Sequence, residues 1–360
     1  MSLVPAYITP APATRVFGLT TTERLERQAP KAGLTIVKDP SQAEVILSGA
    51  CVYGASVLKA LAGAAPGTIL ADDDGRLAGL KSGGSEAVDA VEAGATAPDG
   101  AKSGAGLAGR YDKQLRKRAD PMVARLNDVK AVEQQIFDAT YKGVTDFVTK
   151  HVWPMPALAA VRVCVRFGLS PNQVTYASGI LVLAAFWFFW TGQFGLGFLA
   201  AWVMTFLDTV DGKLARATLT SSKFGDFLDH GIDLVHPPFW WWAWAVGCAA
   251  TGQAIGDGGL ALMAILAGYV LQRVEEGIFI ARFKIEMHIW RPFDSFFRKI
   301  TARRNPNLVI LMIATLMGAP REGFIAVAIW TVFCLLVHLV QIIQAFAAVR
   351  HGPLHSWMED

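Results

Sequence analysis

The chain has 360 residues, of which 53 % are hydrophobic and 18 % are charged, and its formal net charge is +3. This composition is too apolar for two ordinary soluble domains, and so small a net charge implies no nucleic-acid partner. The apolar residues concentrate after about residue 150, which predicts a soluble head followed by a membrane body.

The head shows the patterns of a small α/β unit. The first twenty residues lack a basic stretch followed by an apolar one, so we expect no secretory signal and a cytoplasmic head. The predicted elements are a helix capped by Thr22 and running through Arg27, strands at 34–37 and 45–47, a helix at 53–61, and strands at 68–70 and 77–80 around a turn at 73–75. Asp72, Asp73 and Asp74 are candidate metal ligands, although a polar turn is the favoured interpretation.

The segment that joins the head to the body has two parts. Residues 81–109 are rich in Gly, Ala, Ser and Asp, which is typical of a linker or a flexible loop, so the head is predicted at 1–110. Residues 132–153 place apolar side chains near one face of a helix. We therefore expect amphipathic helices over 111–170, lying beside the bilayer with their cations near anionic lipid headgroups. Packing on the head is the alternative.

The body begins with helix signals. Arg162 and Arg166 are one turn apart in a short predicted helix at 157–167, and Ser170 with Pro171 suits the start of the next helix.

The four cysteines are far apart and form no CxxC pair, so we expect buried thiols in a reducing compartment.

Six apolar runs predict an α-helical membrane bundle over 171–350. They cover about 172–191, 194–216, 223–250, 258–284, 306–319 and 322–348. Lys and Arg concentrate in the segments 213–223 and 282–304, which predicts that these segments and both termini face the cytoplasm.

Four aspartates stand at helical spacing in the second and third runs. Asp208 and Asp211 are three residues apart and Asp229 and Asp233 are four apart, so each pair shares a helix face. Carboxylates near hydrocarbon cost at least roughly 2.5–3.5 kcal/mol each, and four neighbours would also repel one another. Two Mg²⁺ or Mn²⁺ ions would balance them and bind a pyrophosphate, leaving Arg216 to pair with a phosphate oxygen. The alternative is a solvated, inert set of helix-end charges.

A second polar group lies in the fourth run, where Gln272, Arg273, Glu275 and Glu276 follow one another closely. Charged residues at membrane depth normally face the bundle interior, so Arg273 is a candidate for binding an anionic acceptor, and an internal ion pair is the alternative.

His230 and His236 are expected to be solvated or hydrogen-bonded. The tryptophans at 240–244 are expected to pack against lipid and neighbouring helices.

The aspartates belong to a longer motif, Asp208-x2-Asp211-Gly212-x2-Ala215-Arg216-x8-Gly225-x3-Asp229-x3-Asp233. It resembles the full signature of the CDP-alcohol phosphotransferase family, whose members are integral membrane enzymes that join a CDP-linked lipid or alcohol to a second alcohol and release CMP. The resemblance extends from about residue 130 to the C-terminus. The head resembles a reduced form of the cytidylyltransferase domain that some relatives carry, although residues 16–20, where a Gly-rich phosphate loop is expected, contain one glycine.

The resemblance implies a role for each motif position. Asp208, Asp211 and Asp229 would bind the first metal ion and Asp208, Asp229 and Asp233 the second, with Asp233 as the general base. The implied contacts to the CDP-alcohol are Pro171, Asn172, Asp211, Gly212, Ala215, Arg216, Ser221, Ser222 and Gly225. Plain helix capping is the alternative for Pro171 and Asn172. The candidate anchors for an acceptor phosphate are Arg162, Arg166, Arg273 and Arg282.

The expected activity is attack of an alcohol on the β-phosphorus of a CDP-alcohol, with CDP-diacylglycerol favoured as donor and inositol phosphate, then glycerol phosphate, as acceptor. The expected setting is the inner cell membrane, with the active site on its cytoplasmic side, in a homodimer. One alternative is a bifunctional cytidylyltransferase and phosphotransferase that makes a soluble phosphodiester. The other is a non-catalytic membrane scaffold that keeps the fold.

Overall fold

A computed structural model of the chain describes residues 3–81 and 86–359, without the side chains of residues 86 and 226. The chain forms two compact units. The first comprises Met1–Tyr141, Val165–Phe167 and Lys213–Thr220, and the second comprises Lys142–Cys164, Gly168–Gly212 and Ser221–Asp360.

The first unit is an α/β fold, as predicted. Its strands are β1 (Val4–Ile8), β2 (Arg15–Val16), β3 (Leu19–Thr20), β4 (Leu34–Ile36), β5 (Val45–Leu47), β6 (Cys51–Tyr53), β7 (Ile69–Ala71), β8 (Leu77–Lys81), β9 (Tyr111–Asp112), β10 (Lys117–Arg118) and β11 (Val123–Arg125). Its helices are α1 (Thr21–Ala32), α2 (Ala55–Ala62), α3 (Glu86–Ala93), α4 (Gly104–Ala108) and α5 (Val129–Ala139). The main sheet has the order β4-β1-β5-β8-β7, in which β1 runs parallel to β4 and β5 while β8 is antiparallel to β5 and β7.

The sheet carries helices on both faces. Successive residues of a strand point to opposite faces, so β5 can serve two cores. Val45 and Leu47 pack in the core that contains Leu25 of α1 and Leu58 of α2, whereas Ile46 packs in the core that contains Val91 of α3. Burial of these side chains against both faces is what holds the head together.

Several details of the head differ from the prediction. The cap of α1 is Thr20 rather than Thr22, because Thr20 and Glu23 form a reciprocal capping box, and the helix runs on to Ala32. The first strand, β1, was not predicted. The turn after β7 is a polar turn, in which Asp72 Oδ1 accepts from the backbone N–H groups of Asp74 and Arg76 at 3.1 and 2.8 Å. Asp72 Oδ2 accepts from Arg125 Nε at 2.7 Å.

The predicted linker at 81–109 is wrong for the part that the structure describes. Residues 82–85 lie outside the described residues, but α3 buries Val88 and Val91, and bridges join Arg76 to Thr96 and Leu70 to Lys102. The composition was misleading because small residues that border a sheet need few large apolar side chains. The first unit also passes the predicted boundary at residue 110, since β11 pairs with β6.

The predicted amphipathic helix over 132–153 is two helices. The first is α5, which buries Val132, Ile136 and Phe137 within the first unit, so the alternative of packing on the head is correct for this part. The second is α6 (Phe147–His151), which begins at the N-cap Asp146. The second helix starts after the loop at 140–145 because Asp146 accepts the Thr149 N–H at 3.0 Å.

The second unit is a helical bundle. Its further helices are α7 (Pro154–Arg166), α8 (Pro171–Trp190), α9 (Phe194–Ala217), α10 (Lys223–Ala250), α11 (Leu260–Phe283), α12 (Pro292–Phe297), α13 (Arg304–Leu316) and α14 (Pro320–Ala348). Its core contains Trp240, Trp241 and Trp244, in agreement with their expected packing role, whereas Trp242 is partly exposed. All four cysteines are free and buried, as predicted.

The last turn of α9 belongs to the first unit by its contacts. Arg24 Nη1 donates to the carbonyl of Ala217 at 2.8 Å, and Lys213 Nζ lies 3.6 Å from the centre of the Tyr141 ring. The carbonyls at the end of a helix have no partner within it, so Arg24 stabilises this end.

A helix occupies most of each of the six predicted apolar runs. Three are long and apolar enough to cross a membrane by length and composition, namely α8, α9 and the segment Pro320–His351 that contains α14. The chain is thus a membrane protein. The 13 residues of α13 extend roughly 20 Å, which is shorter than a bilayer core of about 30 Å.

Candidate active site

Three of the four aspartates converge at one point between α9 and α10. A carboxylate oxygen from each of Asp208, Asp229 and Asp233 lies within 4.8 Å of the other two. The Asp233 side chain is 41 % exposed, compared with 15 % for Asp208 and 32 % for Asp229. The carboxylate cluster is therefore most open at Asp233.

Asp211 is the fourth aspartate, and it is held by α8. Its Oδ2 accepts a hydrogen bond of 2.6 Å from Thr175 Oγ1, its Oδ1 lies 2.5 Å from the Gly212 nitrogen, and it is buried. Thr175 was not predicted as a site residue, although it lies three residues after Asn172 in the first turns of α8. The hydroxyl fixes the orientation of one predicted metal ligand.

Arg304 is a second residue of this site, after Thr175, that the sequence did not single out. Its Nη2 lies 2.6 Å from Asp208 Oδ2 and its Nη1 lies 2.5 Å from Asp233 Oδ1, so one guanidinium bridges α9 and α10. Arg304 begins α13, and the next residue, Asn305, donates to Asp146 Oδ1 at 3.0 Å, which fixes the start of α13 against α6. In the sequence, Arg303 and Arg304 stood out only as adjacent basic residues, and they were used only to predict the orientation of the membrane helices.

The residues predicted to bind nucleotide meet where α8 and α10 begin. Ser170 caps α8 in a capping box with Gln173, and Pro171 is its first residue, so the capping interpretation holds for Pro171. Ser222 caps α10 through a 3.0 Å bond from the Gly225 N–H. A Cβ at Gly225 would lie 2.9 Å from Asn172 Oδ1, so the glycine lets Asn172 approach the backbone of α10.

The remaining predicted nucleotide contacts lie on the last turns of α9 and in the connection from α9 to α10. Gly212 and Ala215 are half-buried on α9, and Arg216 is half-buried one residue before the helix ends, whereas Ser221 is exposed in the connection to α10. Their roles stay predictions.

The four arginines predicted to anchor an acceptor lie in different surroundings. Arg273 Nη1 is 3.8 Å from Glu276 Oε2, which is the internal ion pair that the sequence left as an alternative. Arg282 is exposed and its guanidinium lies 5.5 Å from the Phe283 ring. Arg162 is half-buried on α7 and Arg166 is exposed. The structure gives Arg304, rather than any of these, a contact with the aspartates.

The histidines near the aspartates behave as expected. His236 is buried, its Nδ1 lies 2.6 Å from the Ile232 carbonyl, and its ring packs edge-on against Trp240. His230 is exposed, with Nδ1 3.9 Å from Asp229 Oδ2.

The donor set of this site fits a divalent metal ion. Three carboxylates within 4.8 Å of one another carry three negative charges, and Arg304 supplies one positive charge to two of them. The remaining excess of negative charge and the all-oxygen donors suit a hard cation such as Mg²⁺ or Mn²⁺. The acidic cluster can therefore hold a metal.

Comparison with known proteins agrees with the family resemblance of the aspartate motif. A family model described as CDP-alcohol phosphatidyltransferase matches residues 168–331, which contain all four aspartates and Arg304. Archaetidylinositol phosphate synthase of Pyrococcus horikoshii is 30 % identical over 169 residues, covering 46 % of this chain and 80 % of the relative.

Two further relatives are covered less completely. The bifunctional IPC transferase and DIPP synthase of Rubrobacter xylanophilus is 26 % identical over 199 residues, which cover 55 % of this chain and 43 % of the relative. Phosphatidylinositol phosphate synthase of Mycobacteroides abscessus is 31 % identical over 116 residues, which cover 31 % of this chain and 52 % of the relative. The chain thus spans about half the length of these two proteins. On the family signature and the match to most of the archaeal enzyme, the chain belongs to the CDP-alcohol phosphatidyltransferase family and is a phosphotransferase.

Proposed function

We propose that this enzyme transfers a phosphatidyl group from CDP-diacylglycerol to a hydroxyl of a small polar acceptor and releases CMP. The observation that carries the proposal is the convergence of Asp208, Asp229 and Asp233 within 4.8 Å, with Arg304 beside them. Such a site can neutralise a pyrophosphate and position a phosphorus atom for in-line attack.

In the proposed reaction the acceptor oxygen forms a bond to the β-phosphorus, and the bond from that phosphorus to the CMP oxygen breaks. The acceptor hydroxyl loses its proton to Asp233, which is the most exposed carboxylate of the three and so the most accessible to an entering alcohol. CMP leaves with the bridging oxygen.

The carboxylates of Asp208, Asp229 and Asp233 would hold Mg²⁺ or Mn²⁺, with Asp211 beside them. When bound, two such ions supply charge stabilisation to the pyrophosphate. The protein contributes Asn172 and Ser222 for the nucleotide, and Gly225 lets Asn172 approach the backbone of α10. Arg304 is placed to pair with phosphate oxygens through its planar fork, and Arg216 and Ser221 are further proposed phosphate contacts.

We further propose an inositol phosphate as acceptor, with glycerol phosphate second. Two of the reported relatives are named as synthases of inositol phosphate lipids. A phosphorylated acceptor also gives a role to Arg304, whose guanidinium contacts both Asp208 and Asp233.

The proposed setting is the inner cell membrane. We propose that α8–α11, α13 and α14 form a six-helix membrane domain with the aspartates and both termini on the cytoplasmic side, supported by Lys and Arg in the segments 213–223 and 282–304. A homodimer is proposed from the family resemblance. A lipid tail can then stay in the bilayer while CMP leaves into water.

The test is CMP release by the purified full-length protein with CDP-diacylglycerol and inositol phosphate, glycerol phosphate or inositol. We expect a lipid product with a phosphorylated acceptor, no release with excess EDTA, and recovery with Mg²⁺ or Mn²⁺. Asp229→Asn is the control for background hydrolysis. No CMP release with any acceptor in the presence of either ion would favour the non-catalytic scaffold, and full rates in EDTA would contradict the metal requirement.

A further inference from the structure

A second polar cluster joins three elements of the membrane unit. Glu276 on α11, His288 in the 3-10 turn Met287–Ile289 and His338 on α14 each place a potential ligand atom within 4.8 Å of the other two. His288 Nε2 lies 3.0 Å from Glu276 Oε1, and His338 Nδ1 lies 3.4 Å from Glu275 Oε2. The two imidazole rings are 5.5 Å apart between centroids.

Among the described residues, three of the four ring nitrogens of these two buried histidines lack a hydrogen bond, while His288 Nε2 bonds to Glu276. His338 is fully buried and His288 is 4 % exposed. Within the described part of the chain, no hydrogen bond is made by either ring nitrogen of His338 or by Nδ1 of His288. Buried polar side chains nearly always have partners, so these nitrogens point to a ligand.

We propose that Glu276, His288 and His338 form a zinc site. Two imidazoles and one carboxylate are a common protein donor set for Zn²⁺. Ligand atoms around tetrahedral zinc stand roughly 3.3 Å apart, so the cluster must close by at most about 1.5 Å when it binds the ion. Glu275, next to His338, is available as the fourth ligand.

The surrounding charges favour zinc over Mg²⁺ at this site. Arg303 pairs with Glu276 Oε1, and Arg273 lies 3.8 Å from Glu276 Oε2. The carboxylate is thus already compensated by arginines, so the ion must be bound mainly by neutral nitrogen donors, which suit Zn²⁺ better than a hard cation. Arg303 then orients the ligand Glu276 from outside, as partners of metal ligands commonly do.

The zinc site would support the active site through the start of α13. Arg303 contacts Glu276, and its neighbour Arg304 bridges Asp208 and Asp233. Tying α11, the turn that contains His288 and α14 together therefore fixes the backbone from which Arg304 reaches the aspartates. Zinc is a structural ion in this proposal, whereas the aspartates hold the catalytic metal.

The test is the zinc content of purified full-length protein, stripped with chelator and then equilibrated with Zn²⁺ in excess Mg²⁺. We expect one Zn²⁺ per chain in the parent protein and in Asp229→Asn, and none in His338→Ala. His355→Ala is the matched control, because His355 is exposed beside Glu359. This measurement needs no substrate, so its result is independent of the proposed activity.

Further variants separate loss of zinc from loss of folding. His338→Cys keeps a zinc ligand, so it should retain the ion, and His288→Gln keeps the size and polarity of the side chain but should lose it. Zn²⁺ should raise the Tm of the parent and of His338→Cys but leave that of His288→Gln unchanged. No zinc retained by the parent, equal zinc in the parent and His288→Gln, or loss of zinc in Asp229→Asn would each overturn the proposal.

Discussion

At the scale of single residues, Asp233 and Arg304 decide how the carboxylate cluster would act. Asp233 is the most exposed of the converging aspartates, and Arg304 reaches it and Asp208 with separate nitrogens. Carboxylates that bind a cation need only be close together, whereas a general base must also be open to the group that it deprotonates. The exposed Asp233 therefore meets the requirement of a general base, whereas Asp208 and Asp229 meet only that of cation ligands.

Asp233→Asn should reduce CMP release by about 10²–10⁴-fold, because the amide keeps the shape of the side chain but cannot take the proton. Binding of CDP-diacylglycerol in Mg²⁺ should change little. The measurement is turnover at saturating substrates together with lipid binding, and Asp99→Asn, at an exposed position of the head, is the control. Turnover within tenfold of the parent would remove Asp233 from the role of base.

Arg304→Lys should be a severe substitution although it keeps the positive charge. A lysine ammonium cannot hold two carboxylates or a phosphate with the planar fork that Arg304 uses. Loss of one charged hydrogen bond, about 1.5–3 kcal/mol, predicts a fall of roughly 10–150-fold in kcat/KM. Arg321→Lys, at an exposed site on α14, is the control, and equal kcat/KM values for the two variants would contradict the role given to Arg304.

At the scale of helices, the site depends on how closely α8 approaches α10. A Cβ at position 225 would lie 2.9 Å from Asn172 Oδ1 and 3.1 Å from Ser222 Oγ, so only glycine allows this approach. Thr175, one turn after Asn172, holds Asp211 on α9. The first turn of α8 thus contacts both helices that carry the aspartates.

Gly225→Ala should raise the KM for the CDP-alcohol, because the added methyl must push Asn172 or Ser222 aside. Gly231→Ala lies on the same helix with no atom within 4 Å of the added Cβ, so it is the matched control. An alanine inside a helix is favoured over glycine by roughly 0.5–1 kcal/mol, so the control should be at least as stable as the parent. The KM of both variants and their Tm values test this, and an unchanged KM in Gly225→Ala would remove this helix contact from substrate binding.

At the scale of the whole molecule, the sequence predicted helices and strands better than contacts between residues that are far apart along the chain. The six apolar runs became helices because each is a long uninterrupted stretch, and Asp229 and Asp233 lie together because i, i+4 spacing fixes a helix face. Arg304 could not be assigned in this way, since its partners lie 96 and 71 residues away along the chain. The folded segment at 86–109 was also missed, because its few apolar residues gain their role only from contact with the sheet.

The loop after β1 in the head bears on whether the chain makes its own CDP-alcohol. In a nucleotidyltransferase, backbone N–H groups after the first strand must surround the phosphates of CTP. Here β1 ends at Ile8 and is followed by Thr9, Pro10, Ala11 and Pro12, and proline has no N–H to donate.

We therefore expect the full-length protein to release no pyrophosphate from CTP and inositol phosphate, while it releases CMP from CDP-diacylglycerol under the same conditions. Both products are measured on one preparation, so CMP release serves as the control for a folded, active enzyme. Pyrophosphate release at a rate comparable to CMP release would instead mean that the head is active, and the bifunctional alternative would then replace this conclusion. Such a head would have to bind CTP with side chains, because two of the four residues after β1 cannot donate from the backbone.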